Sequence, residues 1–235
     1  MVPNARLGGR MLVRASIAIA VAGPGSLGTA LASAATTASS GGTAAPAASG
    51  NSHLKVTVTP RQHVLRGDDD PVHGSVRPGR RGRSVLIQVR RDGDGWQTVA
   101  HATTGADGRF RASWTTHSLG NYAVRAKVGS TGPSGKAEHG VIVYKASQAS
   151  WYGPGFYGNR TACGETLRPS TLGVAHKTLP CGTKVALYYH GHAVTVPVID
   201  RGPYAAGREY DLTAETKHRL HFGSTGTVWS APHAH

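Results

Sequence analysis

Short runs of β-branched and aromatic residues, each closed by a turn signal, dominate the chain from residue 54 to residue 146. Turn sequences such as Asp107-Gly108 separate the runs, and residues 109–114 alternate in the way of a strand with one buried face. Seven strands is the number of an immunoglobulin-like β-sandwich, so we predict an all-β chain in which residues 54–146 form such a sandwich. The seven runs are residues 54–59, 72–76, 84–91, 96–102, 109–115, 122–128 and 140–145.

The N-terminus has the pattern of a secretory signal peptide. Arg6, Arg10 and Arg14 precede a small apolar run at residues 15–22, and Ala32-Ser33-Ala34 forms a small-residue cleavage site. The apolar run is shorter than the ~20 residues of a spanning helix, so we expect a signal peptide at 1–34 and no transmembrane segment. Residues 35–53 are almost entirely Ala, Thr, Ser, Gly and Pro, which predicts a flexible linker. The mature protein is therefore expected to be secreted, extracellular and associated with the cell wall.

The chain is strongly basic. It has 26 Lys and Arg against 12 Asp and Glu, a formal charge of +14, and residues 54–146 hold 15 of those bases and seven of those acids. Export favours anionic cell-wall polymers as partners, and the lack of a basic recognition helix or interleaved stacking aromatics argues against nucleic acid. The alternative is that the arginines are simply solvated strand and loop residues. They include Arg80, Arg81, Arg83, Arg90 and Arg91.

Residues 147–235 differ in character, since they contain seven of the 13 histidines and both cysteines. The runs 184–189 and 193–199 flank His190-Gly191-His192, which predicts a hairpin. Pro197 cannot donate to a ladder, so its strand is expected at an edge or at a bulge. Thr213 can cap a short helix that ends before Gly223.

Five ordered sequence blocks in this region resemble the rare lipoprotein A (RlpA-like) family of double-psi β-barrel domains. The resemblance covers roughly the last third of the chain. It implies a six-stranded double-psi β-barrel at 147–235, related in fold to expansins, with peptidoglycan glycan strands as the substrate class. The blocks are Ala149-Ser150-Trp151-Tyr152-Gly153, Thr161-Ala162-Cys163-Gly164-Glu165, Val174 to Thr183, Ile199-Asp200-Arg201-Gly202-Pro203-Tyr204 and Arg208 to Thr213.

Asp200 is the best candidate for a catalytic acid and base. Glycan cleavage needs a carboxyl group that protonates the leaving oxygen and later accepts a proton. Asp200 ends the apolar strand 194–199, and Arg201-Gly202-Pro203 then turns the chain away. From the residues alone, a turn-capping aspartate is the competing interpretation. The resemblance places the family's catalytic Asp on Asp200.

The resemblance adds His176 and Glu165 to the catalytic candidates, His176 as hydrogen-bond partner or auxiliary acid/base and Glu165 as a second acidic or orienting group. Both residue types in loops are more often solvated or locally bonded. Asp211 is interpreted as structural. The candidates for substrate binding are four aromatic residues, which are as often barrel plugs, and one arginine: Trp151, Tyr152, Tyr157, Tyr204 and Arg201.

Cys163 and Cys181, 18 residues apart, are expected to form a disulfide, because they are the two cysteines of the chain and export favours oxidation. A zinc or redox dithiol fits poorly, and we expect no cofactor. The remaining metal candidates lack a carboxylate or cysteine that would complete a motif. They are His190, His192, His218 and His221.

Three functional classes remain open. The first is a peptidoglycan lytic transglycosylase that uses Asp200 as acid/base, with a hydrolase using Asp200 and Glu165 as a variant of it. The second is a non-catalytic, expansin-like protein that binds polysaccharide and loosens the wall. The third is a secreted protease inhibitor or a partner-activating wall protein. Fold alone does not separate them.

Overall fold

The computed structural model describes residues 53–233. The predicted signal peptide and nearly all of the predicted linker lie outside these residues. The described part contains one short helix and thirteen strands, so the prediction of an all-β chain is confirmed. The elements are β1 Lys55–Thr59, β2 His63–Leu65, β3 Asp69–Arg77, β4 Ser84–Arg91, β5 Gln97–Thr103, β6 Arg109–Thr115, β7 Gly120–Val128, β8 Glu138–Tyr152, β9 Val174–His176, β10 Lys184–Tyr189, β11 His192–Asp200, β12 Tyr210–Thr213, α1 Ala214–Arg219 and β13 Gly226–His233.

The first eight strands form two sheets around one core. β1, β3 and β6 make an antiparallel sheet in that order, and β5, β4, β7 and the first part of β8 make the second, with β2 parallel to β8. Alternate residues point into the core, as Val85, Ile87 and Val89 do from β4. Each of the seven predicted runs corresponds to one strand, and β2 is an addition. The immunoglobulin-like assignment of this N-terminal region remains a prediction.

Strand β8 belongs to both halves of the molecule. Its first residues pair with β7 and β2, and its later residues pair with β13 and β12. Where the strand passes from one partner set to the other, Tyr144 is fully buried with Ala186 and Ala231, and residues from both halves pack around them. A continuous hydrogen-bonded strand thus crosses position 146/147, where we place the boundary between the two predicted domains.

The C-terminal region is a closed six-stranded barrel. Its circuit runs β8, β12, β9, β11, β10 and β13, and β13 pairs with β8 again. Val174, Leu187, Val198 and Leu212 are among the residues fully buried in its core. The prediction of a six-stranded barrel is confirmed, and its geometry is that expected of the double-psi type.

The local predictions for this region are confirmed with one refinement. β10 and β11 form the predicted hairpin, and Thr213 caps α1 by accepting the backbone N–H of Thr216 at 3.3 Å. Pro197 lies in a strand with neighbours on both sides, not at an edge. The register with β9 shifts between Val198 and Asp200, directly after the proline, so the bulge alternative holds.

The described residues all fall in one compact unit. Within residues 53–233, no helix has the length and apolar character needed to cross a membrane.

Candidate active site

Asp200 is held at the end of β11 by its own carboxylate and by the residue before it. Its Oδ1 accepts the backbone N–H groups of Ala162 and Arg201, each at 2.8 Å. Ile199 is buried against Gly173, where an added Cβ would lie 2.6 Å from the isoleucine side chain. The side chain of Asp200 is half-buried, so the carboxylate is fixed in place and still reaches solvent.

A second carboxylate lies in the same row of the barrel. Asp200 of β11 pairs with Ala175 of β9, Ala175 pairs with Asp211 of β12, and Asp211 pairs with Ser150 of β8. Directly paired residues point to the same face of a sheet, and strands lie about 4.8 Å apart. Asp200 and Asp211 therefore lie about two strand spacings apart, on either side of Ala175 of β9. Ser150 donates a hydrogen bond from its hydroxyl to Asp211.

Tyr152 connects these acidic groups. It follows Ser150 by two residues in β8 and so shares its face, and its hydroxyl oxygen is buried. Burial raises the pKa of Tyr152 most, followed by the nearby charge of Asp200, hydrogen bonding to Asp200, and the charges of Asp211 and Glu165. Among the described residues the hydroxyl has no hydrogen-bond partner of ordinary geometry, so its contact with Asp200 is a close approach. Because its pKa is raised, Tyr152 stays protonated beside the Asp200 carboxylate.

Glu165 is exposed in a tight turn that is tied to β11. Thr161 donates its backbone N–H to the Glu165 carbonyl at 2.7 Å, and its Oγ1 accepts the Glu165 N–H at 3.2 Å. The predicted disulfide between Cys163 and Cys181 is confirmed, with a Cα–Cα distance of 5.7 Å. Since Cys163 also donates its N–H to the Ile199 carbonyl, this turn is fastened next to Asp200. The structure thus brings Asp200 and Glu165 into electrostatic reach of Tyr152.

His176 has a different set of partners. Its Nδ1 accepts the backbone N–H groups of Thr178 and Leu179 at 3.2 and 3.0 Å, which leaves the proton on Nε2, 3.7 Å from Glu209 Oε1. Burial lowers the pKa of His176, and Glu209 acts in the opposite direction. His176 pairs with Tyr210 and their rings lie 5.0 Å apart. Among the described residues no hydrogen bond joins His176 to Asp200, although His176 follows Ala175, the strand partner of Asp200.

Glu209 is a residue of this site that the sequence did not single out. Its carboxylate accepts Lys145 Nζ at 2.5 Å and Ser147 Oγ at 2.9 Å, and both donors belong to β8. Burial raises the pKa of Tyr210 to about 12, and the nearby charge of Glu209 acts in the same direction. Glu209 directly precedes Tyr210-Asp211 in one of the quoted blocks, but its hydrogen-bond donors Lys145 and Ser147 lie more than 60 residues away, so no local pattern indicates the network.

The five substrate-binding candidates fall in different places. Trp151 and Tyr157 line a shallow depression with Lys217, whose Nζ lies 4.2 Å from the centre of the Trp151 ring. Gly153 makes room for Tyr157, since an added Cβ would lie 2.6 Å from its hydroxyl. Tyr204 is 85% exposed. Lys217 was not among the predicted site residues. It lies beside Trp151 because α1 packs next to β8.

Arg201 points toward the loop after β9. Its guanidinium donates to the carbonyl of Leu179 at 2.9 Å and to that of His176 at 3.3 Å, and it lies 3.3 Å from Cys181 Sγ. These contacts brace the loop and the disulfide. A role for Arg201 in substrate binding remains a prediction, as do the catalytic roles given to Asp200, His176 and Glu165.

Within residues 53–233, no group of three or more histidine, cysteine, aspartate or glutamate side chains has a metal-binding arrangement. Of the four histidines considered above, His192 and His221 stack with their ring centres 4.1 Å apart.

Comparison with known proteins places this barrel in a family. Residues 144–229 match the model of the lytic transglycolase family. A probable endolytic peptidoglycan transglycosylase RlpA of Synechocystis is 45% identical over 84 residues, which cover 35% of this chain and 26% of that protein. The endolytic peptidoglycan transglycosylase RlpA of Campylobacter jejuni is 44% identical over 82 residues, which cover 34% and 30%.

The matched segment is therefore under a third of the length of these two relatives. Among solved structures, a Streptomyces papain inhibitor aligns with a TM-score of 0.32 and 20% identity over 39% of this chain and 94% of its own. The C-terminal region, 144–229, is an RlpA-like double-psi β-barrel domain.

Proposed function

We propose that the barrel cleaves the glycan strands of peptidoglycan by lytic transglycosylation, with Asp200 as the acid and base. The observation that supports this most is the Asp200 carboxylate, half-buried at the end of β11 and anchored by two backbone N–H groups. The relatives named as peptidoglycan transglycosylases align across this same region.

The reaction requires one carboxyl group. In its protonated form Asp200 gives its proton to the glycosidic oxygen as the C1–O bond breaks, and an oxocarbenium-like centre develops. The 6-hydroxyl of the muramic acid residue attacks C1, and its proton passes to the Asp200 carboxylate. A 1,6-anhydro end results, and Asp200 is again protonated. Tyr152, which stays protonated beside Asp200, can orient the carboxyl group.

The test compares the full chain with an Asp200→Asn variant on purified sacculi, with 1,6-anhydro ends measured by mass spectrometry. Asparagine keeps an acceptor for the two backbone N–H groups but supplies no proton, so we expect product formation to fall at least about 100-fold. Asp107→Asn is the matched control, because Asp107 Oδ1 also accepts a backbone N–H, from Arg109 at 3.0 Å, far from the barrel site.

The alternatives give other results in the same experiment. New reducing ends instead of anhydro ends would identify a hydrolase. Sedimentation of the parent protein with sacculi but no product would identify an expansin-like binder. Equal product from the parent and the Asp200→Asn variant would show that Asp200 is not the acid.

We further propose that the protein acts outside the membrane and that its N-terminal region is an immunoglobulin-like sandwich that holds it on anionic wall polymers. The signal-like pattern of residues 1–34 supports export. The 15 basic residues against seven acidic residues in residues 54–146 support the binding of anionic polymers.

A further inference from the structure

Two arginines surround one indole on the outer face of the sheet that contains β5, β4 and β7. The Cζ atom of Arg125 lies 4.1 Å from the ring centre of Trp96, and that of Arg90 lies 5.0 Å from it. We call Arg90, Trp96 and Arg125 the Arg–Trp cluster. It lies in the N-terminal region and contains no residue of the barrel.

The strands hold this cluster in a fixed geometry. Gln88 pairs with Arg125 on β7 and with Thr98 on β5, so the three side chains share one face. Arg125 donates from Nε to Gln88 Oε1 at 2.9 Å, and Gln88 donates from Nε2 to Thr98 Oγ1 at 3.2 Å. This chain of hydrogen bonds orients the Arg125 guanidinium and uses one of its five donors, which leaves the terminal N–H groups for a ligand.

Within residues 53–233, no ion pair neutralises the positive charge of the cluster. Two other arginines of this region form ion pairs, Arg91 with Asp94 at 3.0 Å and Arg109 with Asp107 at 3.5 Å. Among residues 53–233, neither Arg90 nor Arg125 forms one. The pKa of Arg125 is lowered, first by burial and second by the charge of Arg90. Two like charges held together repel, and an anion bound between them relieves that repulsion.

The geometry favours phosphate as the anion. Guanidinium groups present paired N–H donors that match phosphate oxygens, so each of the two on this indole can bind one phosphate of a polymer. Lys127 follows Arg125 by two residues on β7, so it extends the positive charge along the same face. Nucleic acid fits less well, because the half-buried indole is already engaged by guanidinium groups and leaves little aromatic surface for a base.

We propose that the Arg–Trp cluster is the binding site for successive phosphate groups of a linear anionic wall polymer. The proposal rests on the anchoring role proposed above and is independent of the chemistry at Asp200. It assigns that role to three residues instead of to the overall charge of the region.

The test measures binding of the full chain to poly(glycerol phosphate) over a range of salt concentrations. The Arg90→Gln/Arg125→Gln variant is expected to bind at least about tenfold more weakly, and the slope of log K against log salt should fall by about two. The matched control is Lys55→Gln/Arg111→Gln, which removes the same charge from exposed positions on the other sheet and should change binding little. An Arg90→Lys/Arg125→Lys variant keeps the charge but loses the paired donors, and an intermediate loss is expected.

Each other result overturns a specific part of the proposal. Equal weakening in the two Gln variants would show that net charge, not the cluster, binds the polymer. Parent-like binding by the Lys variant would refute the paired-donor geometry, and tighter binding to single-stranded DNA with the same number of phosphates would refute the polymer. No binding by the parent would refute the anchoring role itself, whereas release of anhydro ends from sacculi tests the barrel separately. Circular dichroism shows whether each variant is folded.

Discussion

The two halves of the described chain are both built from β-strands, yet they use polar side chains in opposite ways. In the N-terminal region the charged residues are mostly on the surface, and the buried Asp70 is joined to Trp114 Nε1 at 2.9 Å inside a core. In the barrel, three polar side chains, Asp200, Asp211 and Ser150, lie in one row that crosses four neighbouring strands. A closed barrel supplies this row because it brings residues distant in sequence into register. The open sheets instead supply an extended charged surface.

Substitution of Tyr144 is expected to have the largest effect on stability, because this side chain is buried between the two halves. Tyr144→Ala should lower the free energy of unfolding by about 3–5 kcal/mol and split one unfolding transition into two. The measurement is chemical denaturation followed by fluorescence and circular dichroism.

Tyr144→Phe is the matched control, since it removes only the contact of the hydroxyl with His63 Nδ1 at 2.9 Å and should cost about 1 kcal/mol. If both substitutions cost the same, the ring does not couple the halves.

The disulfide should have the next largest effect, confined to the barrel. Replacing both Cys163 and Cys181 by serine opens a bridge that spans 18 residues, which costs ~3 kcal/mol in the chain-entropy model. Hydrogen exchange should become faster in β10 and β11 and stay unchanged in β3 and β6. Equal acceleration in all four strands would mean that the two halves unfold only together.

The smallest expected effects concern pH, and they have opposite signs in the two halves. Burial raises the pKa of Asp70, so the folded N-terminal region favours the protonated form and loses stability as pH rises above the ordinary aspartate range. Asp70→Asn keeps an acceptor for Trp114 and should stabilise the protein at neutral pH but not in strong acid. Thermal unfolding across pH measures this, and a variant less stable at neutral pH would contradict it.

In the barrel, burial lowers the pKa of His176 from 6.5, so the folded state favours the neutral ring. The stability linked to His176 is complete above about pH 6.5 and decreases as pH falls below that value. His176→Asn places an oxygen near the position of Nδ1, keeps an acceptor for the two backbone N–H groups, and should remove this part of the pH dependence. If His176→Asn and the parent have the same pH dependence of stability, the titration of His176 does not contribute to it.

Local sequence signals predicted much of this fold. The two runs that flank His190-Gly191-His192 predicted the hairpin, and Thr213 predicted the helix start. β2 was missed because it has only three residues. The full length of β8 was missed because Ala146-Ser147-Gln148-Ala149-Ser150 has small and polar residues with little preference for strands.

The candidate site was likewise predictable only where a local sequence signal marks it. Asp200 follows a strongly apolar strand, which is a local signal. The place of Asp211 depends on parallel pairing with residues about 60 positions earlier and on the register of β9, and no local pattern contains that information. The partners of Glu209 depend on the same long-range pairing, so only the three-dimensional structure shows them.

The shared strand limits how this protein can be dissected. A fragment that begins at residue 147 would start in the middle of β8, and Trp229 and Ser230 would lose the partners Ala146 and Lys145. A fragment that stops there would leave Tyr144 exposed at a frayed end. Recombination that swaps one half for a foreign module must therefore carry β8 intact, and the useful cut sites are in the loops on either side of it.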